Sequence, residues 1–410
     1  MRRLPLLLLP STIIGVWIAL TFASVNASPG ETGLSALSLW HQGFIGDPYL
    51  LPTGPTAHTP PGTDALLAAV YCLFGGNTTG ARITLSLMAL AQYQIASWVV
   101  LRRAGAALRG RWRGLLLLGF TLLQPLFLAR MTISYRQWDQ PTSALLLVLL
   151  LHVWLTDRRV MPWRSRAIAI GLLGGLGSLF APILPVVAVI AAAHLAWREA
   201  DWRTLGLVGA CVAVLMTPWL VRNQLVLGAP VLTRSNFGLE LAVGNHDASD
   251  GHYNLATAPK LHPHDFPDAA RHLADVGEVA YMREMGDIAH RWIAAHPARF
   301  IELCARRAVL LLFPTPEGDP LYRQGWTPAF YLVSVAGLAA LAILARRGRM
   351  IVPWVVCVVL PIAPAILTHA DLRYMAATFF AQLALLTAGL SCLPLSRWGA
   401  SAATAAPRAL

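Results

Sequence analysis

Apolar segments long enough to cross a membrane recur along this chain, and they restrict its fold more than any other feature. A transmembrane helix needs about 20 apolar residues to cross roughly 30 Å of hydrocarbon. Only helices and closed barrels satisfy every backbone hydrogen bond inside a bilayer. The sequence therefore predicts an all-α polytopic membrane protein, a bundle of roughly ten transmembrane helices with outer loops and juxtamembrane helices. The predicted spans are residues 4–24, 81–101, 114–130, 141–156, 167–181, 183–197, 204–221, 327–345, 351–368 and 374–393.

Composition and charge agree with this class. The 410 residues are 56% hydrophobic and only 13% charged, which would leave too much apolar surface on a soluble globule. The net charge of +12 is spread over many short loops, whereas a nucleic-acid-binding protein concentrates its cations on one surface, so we expect no nucleic-acid partner. Five isolated cysteines show no disulfide or zinc spacing and are interpreted as packing residues.

The distribution of arginine predicts the orientation of the chain in the membrane. Loops rich in arginine fall on alternate sides of the predicted spans, and such loops face the cytoplasm. They lie at residues 2–3, 102–113, 158–166, 198–203 and 346–349. The predicted location is the bacterial inner membrane, with the opposite loops facing the periplasm.

Two sizeable segments then lie on the outer side, and they divide the chain into three parts. Residues 1–221 form an N-terminal transmembrane module whose first outer loop covers residues 25–80. Residues 222–326 form an outer segment with amphipathic helices, and residues 327–410 form C-terminal spans with a short cytoplasmic tail. Within the outer segment, a helical pattern runs from Val276 to Arg307, and the short apolar stretch 300–313 is interpreted as interfacial.

Two acids in outer loops are candidate catalytic groups. The first is Asp47, in the loop after the first span, where a carboxylate at the water boundary is suited to proton transfer. His58 lies in the same loop. Asp before Pro is also typical of a turn. Asp139, between the third and fourth predicted spans, is a candidate second acid, but it could equally cap the next helix with Pro141 in its first turn.

Three arginines outside the predicted spans are candidates for binding a phosphate. Arg222, Arg234 and Arg373 carry guanidinium groups that stay charged and can bind a phosphate bidentately. Alternatively, such side chains extend to lipid headgroups. Asp371 could pair with Arg373, and Glu240 with Arg234.

The outer segment also contains several metal-binding residue types, but their spacing does not match a metal site. The His and Asp residues between 246 and 265, among them His252, His262 and Asp265, fit no zinc or calcium pattern, and a solvated polar loop explains them as well. We therefore expect no required metal.

Four motifs, in this order, suggest a family. The first is the acid-bearing loop that runs into Thr59-Pro60-Pro61 and an apolar stretch ending in Leu73-Phe74-Gly75. The others are Thr217-Pro218-Trp219-Leu220-Val221-Arg222-Asn223, the segment from Arg234-Ser235-Asn236-Phe237-Gly238 to Gly244-Asn245-His246, and Asp371-Leu372-Arg373-Tyr374. With these motifs the chain resembles the membrane glycosyltransferases of the GT-C superfamily. The branch it resembles contains protein O-mannosyltransferases, the lipid A aminoarabinose transferase and rhizobial lipopolysaccharide glycosyltransferases.

The resemblance implies a reaction and roles for the motif residues. Members of the superfamily take a sugar from a polyprenyl-phosphate donor, need no other cofactor, and transfer it with inversion to a lipid, glycan or protein acceptor. An acid in the first loop, here Asp47, is the implied base. His58, nearest to the usual lysine position, and Asn245 in the third motif are candidates for contact with the phosphate or the sugar. His246 and His369 are further candidates, although a lone histidine more often only hydrogen-bonds its neighbours. The chain departs from the superfamily at Thr59, where a lysine is usual.

Two other functions use the same features. A transporter or flippase of lipid-linked sugars would also have basic loops and apolar spans, although it would bury ionisable residues at mid-membrane. A catalytically inactive partner subunit of the same fold would explain the missing lysine and the replacement of an acidic pair by Gly46-Asp47.

Overall fold

The computed structural model describes residues 7–25, 27–107, 131–313 and 327–392. Within these residues the chain is helical, and its only β pairing consists of two isolated bridges, Gly46 with Pro55 and His252 with Ala370. The first eight helices are α1 (Leu9–Thr21), α2 (Gly30–Gln42), α3 (Pro61–Phe74), α4 (Thr79–Ala107), α5 (Gln140–Trp154), α6 (Trp163–Ser178), α7 (Ile183–Glu199) and α8 (Arg203–Leu227). The others are α9 (Phe237–Gly244), α10 (Pro267–Val276), α11 (Glu278–Ala295), α12 (Pro297–Leu312), α13 (Thr327–Arg346), α14 (Val352–Val359), α15 (Ala363–Leu367) and α16 (Leu372–Ser391). The predicted all-α class is confirmed for the described part of the chain.

Proline and glycine mark the helix ends. Pro61 and Pro141 occupy the first turns of α3 and α5, where the missing N–H costs nothing because that group has no partner within the helix. Gly43 and Gly75 end α2 and α3 with φ of 80° and 70°, a left-handed conformation that glycine adopts without steric strain. These residues fix where each helix enters and leaves the bundle.

Three of the described helices are long and apolar enough to cross a membrane. They cover Thr79–Ala104, Arg203–Leu227 and Arg373–Ser391. Most of the other predicted spans coincide with shorter helices; α5, for example, has 15 residues. At about 1.5 Å per residue, a helix of that length covers only some 22 Å. The predicted spans 167–181 and 183–197 form the short helices α6 and α7, and the predicted span 114–130 lies outside the described residues.

Besides a small apolar cluster among α2, α3 and α4, two larger apolar clusters hold these elements together. The larger one lies among α4, α5, α7 and α16, with Tyr93, Leu147 and Phe380 fully buried. The second lies among α9, α10 and α11. There Gly238 permits close contact, because a Cβ at this position would lie 2.3 Å from the carbonyl oxygen of Met282.

The predicted helical pattern from Val276 to Arg307 is two helices in the structure. The break falls at His296, because Pro297 opens α12 and cannot continue the hydrogen bonding of α11. The apolar side of α11 packs on α9, with Met282 buried and Ile288 and Ile293 beside it. The apolar stretch 300–313, expected at the interface, forms all but the first turn of α12.

Four segments meet at one end of the bundle. They are the first turn of α2, the residues before α5, the loop 246–266 that follows α9, and the residues before α16. Backbone hydrogen bonds hold the loop 246–266 in place from two sides. The N–H of Ala370, before α16, donates to the carbonyl of Gly251 at 2.8 Å, and the N–H of Leu50, between α2 and α3, donates to the carbonyl of Pro263 at 3.4 Å. These contacts bring residues that are distant in sequence to one site.

Candidate functional site

Two adjoining cavities occupy this end of the molecule. The first, called here the polar cavity, has a volume of about 260 Å³. Four carboxylates and four histidines line it: Glu31, Glu240, Asp265, Asp371, His252, His262, His264 and His369. The second, the apolar cavity, has a volume of about 340 Å³ and runs between α5, α7, α9 and α16. Glu31, Trp138, Glu240 and Arg373 line both, so they form the boundary between the two cavities.

Glu31 is held by two histidines from one side. It is the second residue of α2 and is 8% exposed. Its Oε1 lies 3.0 Å from His58 Nε2 and 3.6 Å from His262 Nε2. Burial by itself raises the pKa of the Glu31 carboxyl, but the charges of His58, His262 and His264 outweigh it and hold the pKa well below its usual range. Oε2 has no hydrogen-bond partner among the described residues, so one oxygen of an ionised carboxylate remains available.

His58 lies behind Glu31 and does not line either cavity. Its side chain is fully buried, and its ring contacts Tyr49 edge-on. Its backbone N–H donates to Thr56 Oγ1 at 2.9 Å. The structure therefore places it as a support for Glu31 and not as a group in contact with the cavity space. Thr59, at the position where a lysine is usual, donates its hydroxyl to the buried Asp64 at 2.6 Å.

Arg373 is clamped between two aromatic rings. Its guanidinium carbon lies 4.8 Å from the ring centre of Trp138 and 5.1 Å from that of Tyr374, distances typical of cation–π contacts. The suggested pairing with Asp371 is confirmed, with Nε 3.4 Å from Oδ2, and Asp371 also caps α16. Nη1 has no hydrogen-bond partner among the described residues and is free to bind an anion.

Arg234 lies at the same end of the apolar cavity. Its Nε donates to the carbonyl of His58 at 2.7 Å, and its two terminal nitrogens have no hydrogen-bond partner among the described residues. The suggested pairing with Glu240 is wrong: Glu240 accepts from Asn236 at 2.9 Å and lies 3.8 Å from His369. Arg234 therefore keeps its guanidinium group available on the cavity wall.

Asp139 lines the apolar cavity beside these arginines. It precedes α5, and its carboxylate accepts from Ser143 Oγ at 3.1 Å and from Gln140 Nε2 at 3.2 Å. It makes no side-chain cap to the backbone of α5. Burial raises the pKa of its carboxyl, and Arg234, Ser143 and Arg373 oppose this only in part.

The raised pKa of Asp139 predicts a pH-dependent stability effect. A carboxyl whose pKa is higher in the folded state than in the unfolded state binds more protons when folded, so it destabilises the fold as pH rises above about 3.9. Asp139→Asn is therefore expected to unfold at a higher temperature than the wild type at neutral pH. The difference should shrink as pH falls towards about 4. Thermal unfolding in detergent over this range measures it, with Asn at the exposed Asp275 as the control. A pH-independent difference would contradict the prediction.

Asp47 is not brought to either cavity. It adopts φ of 55°, and its Oδ1 accepts from the N–H groups of Thr53 and Gly54 at 2.8 and 2.7 Å. This is the geometry of a residue that closes a tight turn, reinforced by the bridge between Gly46 and Pro55. The structure thus gives Asp47 the turn role that its position before Pro48 also indicated.

Arg222, Asn245 and His246 also lie away from the two cavities. Arg222 donates to the carbonyls of Thr56 and Ile45 at 2.8 and 2.9 Å, so it pins the first loop. Asn245 is 3% exposed and joins the end of α9 to α15 through Leu367. Burial lowers the pKa of the half-buried His246.

A fully buried arginine holds the end of α9 in place. Arg307 of α12 donates to the carbonyls of Gly244 and Leu367 and to Asn245 Oδ1, the last two at 3.0 Å. Close backbone contact makes this possible, because a Cβ at Gly244 would lie 1.9 Å from the carbonyl oxygen of Thr368. The motif Gly244-Asn245-His246 thus has a structural role beside the site.

Several site residues were not predicted from the sequence. Glu31, Trp138 and His262 line the polar cavity, although no motif singled them out. The one local signal was an acid following Pro29-Gly30, which is favourable in the first turn of a helix. Glu31, His58 and His262 also form the group of side chains in the described residues whose ligand atoms are close enough to hold a metal ion.

Comparisons with protein families, with curated proteins and with solved structures found no match to this chain. The two cavities are therefore the features of the molecule that indicate a function. Their chemistry combines available cations at the end of an apolar cavity with available carboxylates in an adjoining polar one.

Proposed function

We propose that this protein is an inverting glycosyltransferase that moves a sugar from a polyprenyl-phosphate donor to a lipid, glycan or protein acceptor. One observation carries the proposal. An apolar cavity ends at two guanidinium groups with free nitrogens, and it meets a polar cavity at a wall that contains an ionised carboxylate. A lipid-linked sugar has the same order of parts: an apolar chain, a phosphate and a hydrophilic sugar.

The donor fits the apolar cavity in one direction. Its prenyl chain would lie along apolar side chains of α5, α7, α15 and α16, among them Leu147, Ile183, Leu184, Pro364 and Ala377. Its phosphate would bind Arg234 and Arg373, which stabilise the charge that develops as the glycosidic bond breaks. Asp139, next to both arginines, would accept a hydrogen bond from a sugar hydroxyl.

Glu31 is the residue that best fits the role of general base. It lies on the boundary between the cavities, where an acceptor hydroxyl from the polar side would approach the sugar carbon bound to phosphate. Glu31 Oε2 would take the hydroxyl proton while the acceptor oxygen bonds to that carbon. The polyprenyl phosphate leaves with the electron pair of the broken bond, and attack opposite the phosphate inverts the sugar carbon. Geometry has priority over pKa in this choice, because a base must first reach the proton.

The membrane topology belongs to the same proposal. Roughly ten helices would surround the donor cavity, with the arginine-rich loops in the cytoplasm and the two cavities at the outer surface of the bacterial inner membrane. The shorter helices would cross where the bilayer adapts or where they meet others end to end. Helices α14 and α15, separated by a 3₁₀ turn at Leu360–Ile362, would together make one such crossing.

A reconstituted transfer assay tests the function. The purified protein in lipid nanodiscs is incubated with a panel of radiolabelled polyprenyl-phosphate sugars and with cell-envelope lipids and glycans as the acceptor pool. We expect consumption of one donor, release of polyprenyl phosphate, and label in an acceptor with inverted anomeric configuration by NMR. In a parallel vesicle assay, movement of intact donors across the bilayer without any product would instead favour the transporter. Inertness in both assays would favour a partner subunit.

A further inference from the structure

Three buried side chains beside the polar cavity converge on one point, and two of them, Glu31 and His262, line it. The three are Glu31 from α2, His58 from the first loop and His262 from the loop after α9, and each is at most 8% exposed. Glu31 Oε1 lies 3.0 Å from His58 Nε2 and 3.6 Å from His262 Nε2, and all three ligand atoms lie within 4.8 Å of one another. Segments separated by more than 200 residues thus supply one cluster of two imidazoles and a carboxylate.

These distances are close to those in a tetrahedral metal site. Ligand atoms on zinc are roughly 3.3 Å apart when each bond is about 2.0 Å long. The two distances from Glu31 Oε1 lie on either side of that value. Two histidines with one carboxylate form a ligand set that catalytic zinc sites use, with the fourth position open.

The surroundings of His262 favour a metal over an ion pair alone. Its Nε2 makes no hydrogen bond to a described residue, although it points towards Glu31. On its other side, Asp265 Oδ2 lies 3.7 Å from Nδ1, and an acid in this place orients a metal-bound histidine. In the structure, Nδ1 of His262 accepts a hydrogen bond from the backbone N–H of His264 at 3.3 Å. When Nε2 binds a metal, Nδ1 carries the proton and donates to Asp265 instead.

We propose that Glu31, His58 and His262 bind one divalent cation of the zinc class, with an open coordination position that faces the polar cavity. The cation would hold Glu31 through Oε1 and leave Oε2 directed to the cavity. The open position suits an oxygen ligand, either water or a hydroxyl group of the acceptor. This site goes beyond the proposed sugar transfer, and it departs from the expectation, drawn from spacing along the sequence, that no metal is required.

Cobalt binding tests the site without using enzyme activity. The full chain, with its affinity tag removed, is stripped with chelator and titrated with Co²⁺, which gives visible absorption bands in tetrahedral sites. We expect one equivalent to bind with these bands and Zn²⁺ to displace it, with metal content confirmed by mass spectrometry. Loss of a partner that only orients a ligand already costs about 10- to 100-fold in metal affinity, so His262→Ala, which removes a ligand, should weaken binding by more than about tenfold. His272 is an exposed histidine paired with Glu284, and His272→Ala should bind Co²⁺ like the wild type.

The outcomes separate this proposal from the proposed function. No tetrahedral spectrum in the wild type, or an unchanged spectrum in His262→Ala, would overturn the metal site. If His262→Ala does not fold, Glu31→Gln replaces it, and stabilisation of the wild type by Zn²⁺ against heat is measured alongside. Transfer by a chain that binds no metal would leave the function standing without the site. Metal binding without any sugar transfer would leave the metal site standing without the proposed function.

Discussion

Replacement of Glu31 by glutamine is expected to lower kcat for sugar transfer by about 10²- to 10⁴-fold, the usual contribution of a general base. Glutamine has nearly the same shape and can still accept a hydrogen bond from His58 through its amide oxygen. It cannot take a proton from the acceptor. KM for the donor should change little, because the phosphate is held by Arg234 and Arg373 and not by Glu31. Initial rates against donor concentration in nanodiscs give both constants.

Two matched variants make this result specific. Glu284→Gln removes a half-exposed acid that pairs with His272 at 2.8 Å, and it should keep the wild-type rate. Asp47→Asn tests the base implied by the family resemblance. Because an asparagine Oδ1 can still accept the two turn hydrogen bonds, this variant should also remain active. Loss of transfer in Asp47→Asn with retention in Glu31→Gln would return the role of base to Asp47.

The helical class and part of the site could be predicted from the sequence because both depend on local signals. Long apolar runs predicted helices at all three candidate crossings. Asp139, Arg234 and Arg373 were singled out by short polar motifs outside the apolar runs, and all three line the apolar cavity. Polar groups at the ends of membrane helices gather at the same surface, so a short motif is enough to indicate them.

The remaining site residues depend on contacts that a sequence does not show. Helix α2 was not predicted inside the first loop, because its small and polar residues lack a clear apolar period. Glu31 was therefore interpreted as a loop residue. His262 belongs with Glu31, and no local spacing rule connects two residues so far apart.

Asp47 shows the opposite case, in which a local signal had two meanings. An acid before proline suits both a turn and an exposed catalytic group. Only the fold decides, because the bridge between Gly46 and Pro55 closes the loop over the carboxylate. Similarly, Arg222 follows the predicted span 204–221 directly, as a phosphate ligand would, but loop carbonyls occupy its guanidinium nitrogens.

Replacement of Arg373 by alanine is expected to raise KM for the lipid-linked donor by about 10- to 100-fold. A hydrogen bond to a charged group contributes about 1.5–3 kcal/mol, and each 1.4 kcal/mol is about tenfold in affinity. The clamp between Trp138 and Tyr374 holds the guanidinium group in one orientation, so little entropy is lost when the phosphate binds. Arg373→Lys keeps the charge without the planar stack and should give an intermediate KM.

Arg222 is the matched control, because it is an arginine next to a predicted span that the sequence could not separate from Arg373. Its guanidinium nitrogens already bind the carbonyls of Ile45 and Thr56, so Arg222→Ala should lower the unfolding temperature and leave KM within about twofold. Arg373→Ala should show the reverse: a large change in KM with folding retained, since its side chain makes few hydrogen bonds to the protein. Donor titrations and thermal unfolding on the same preparations measure both. Equal KM values for Arg373→Ala and the wild type would contradict a phosphate position at the boundary between the cavities. The reacting sugar carbon would then have no reason to lie beside Glu31.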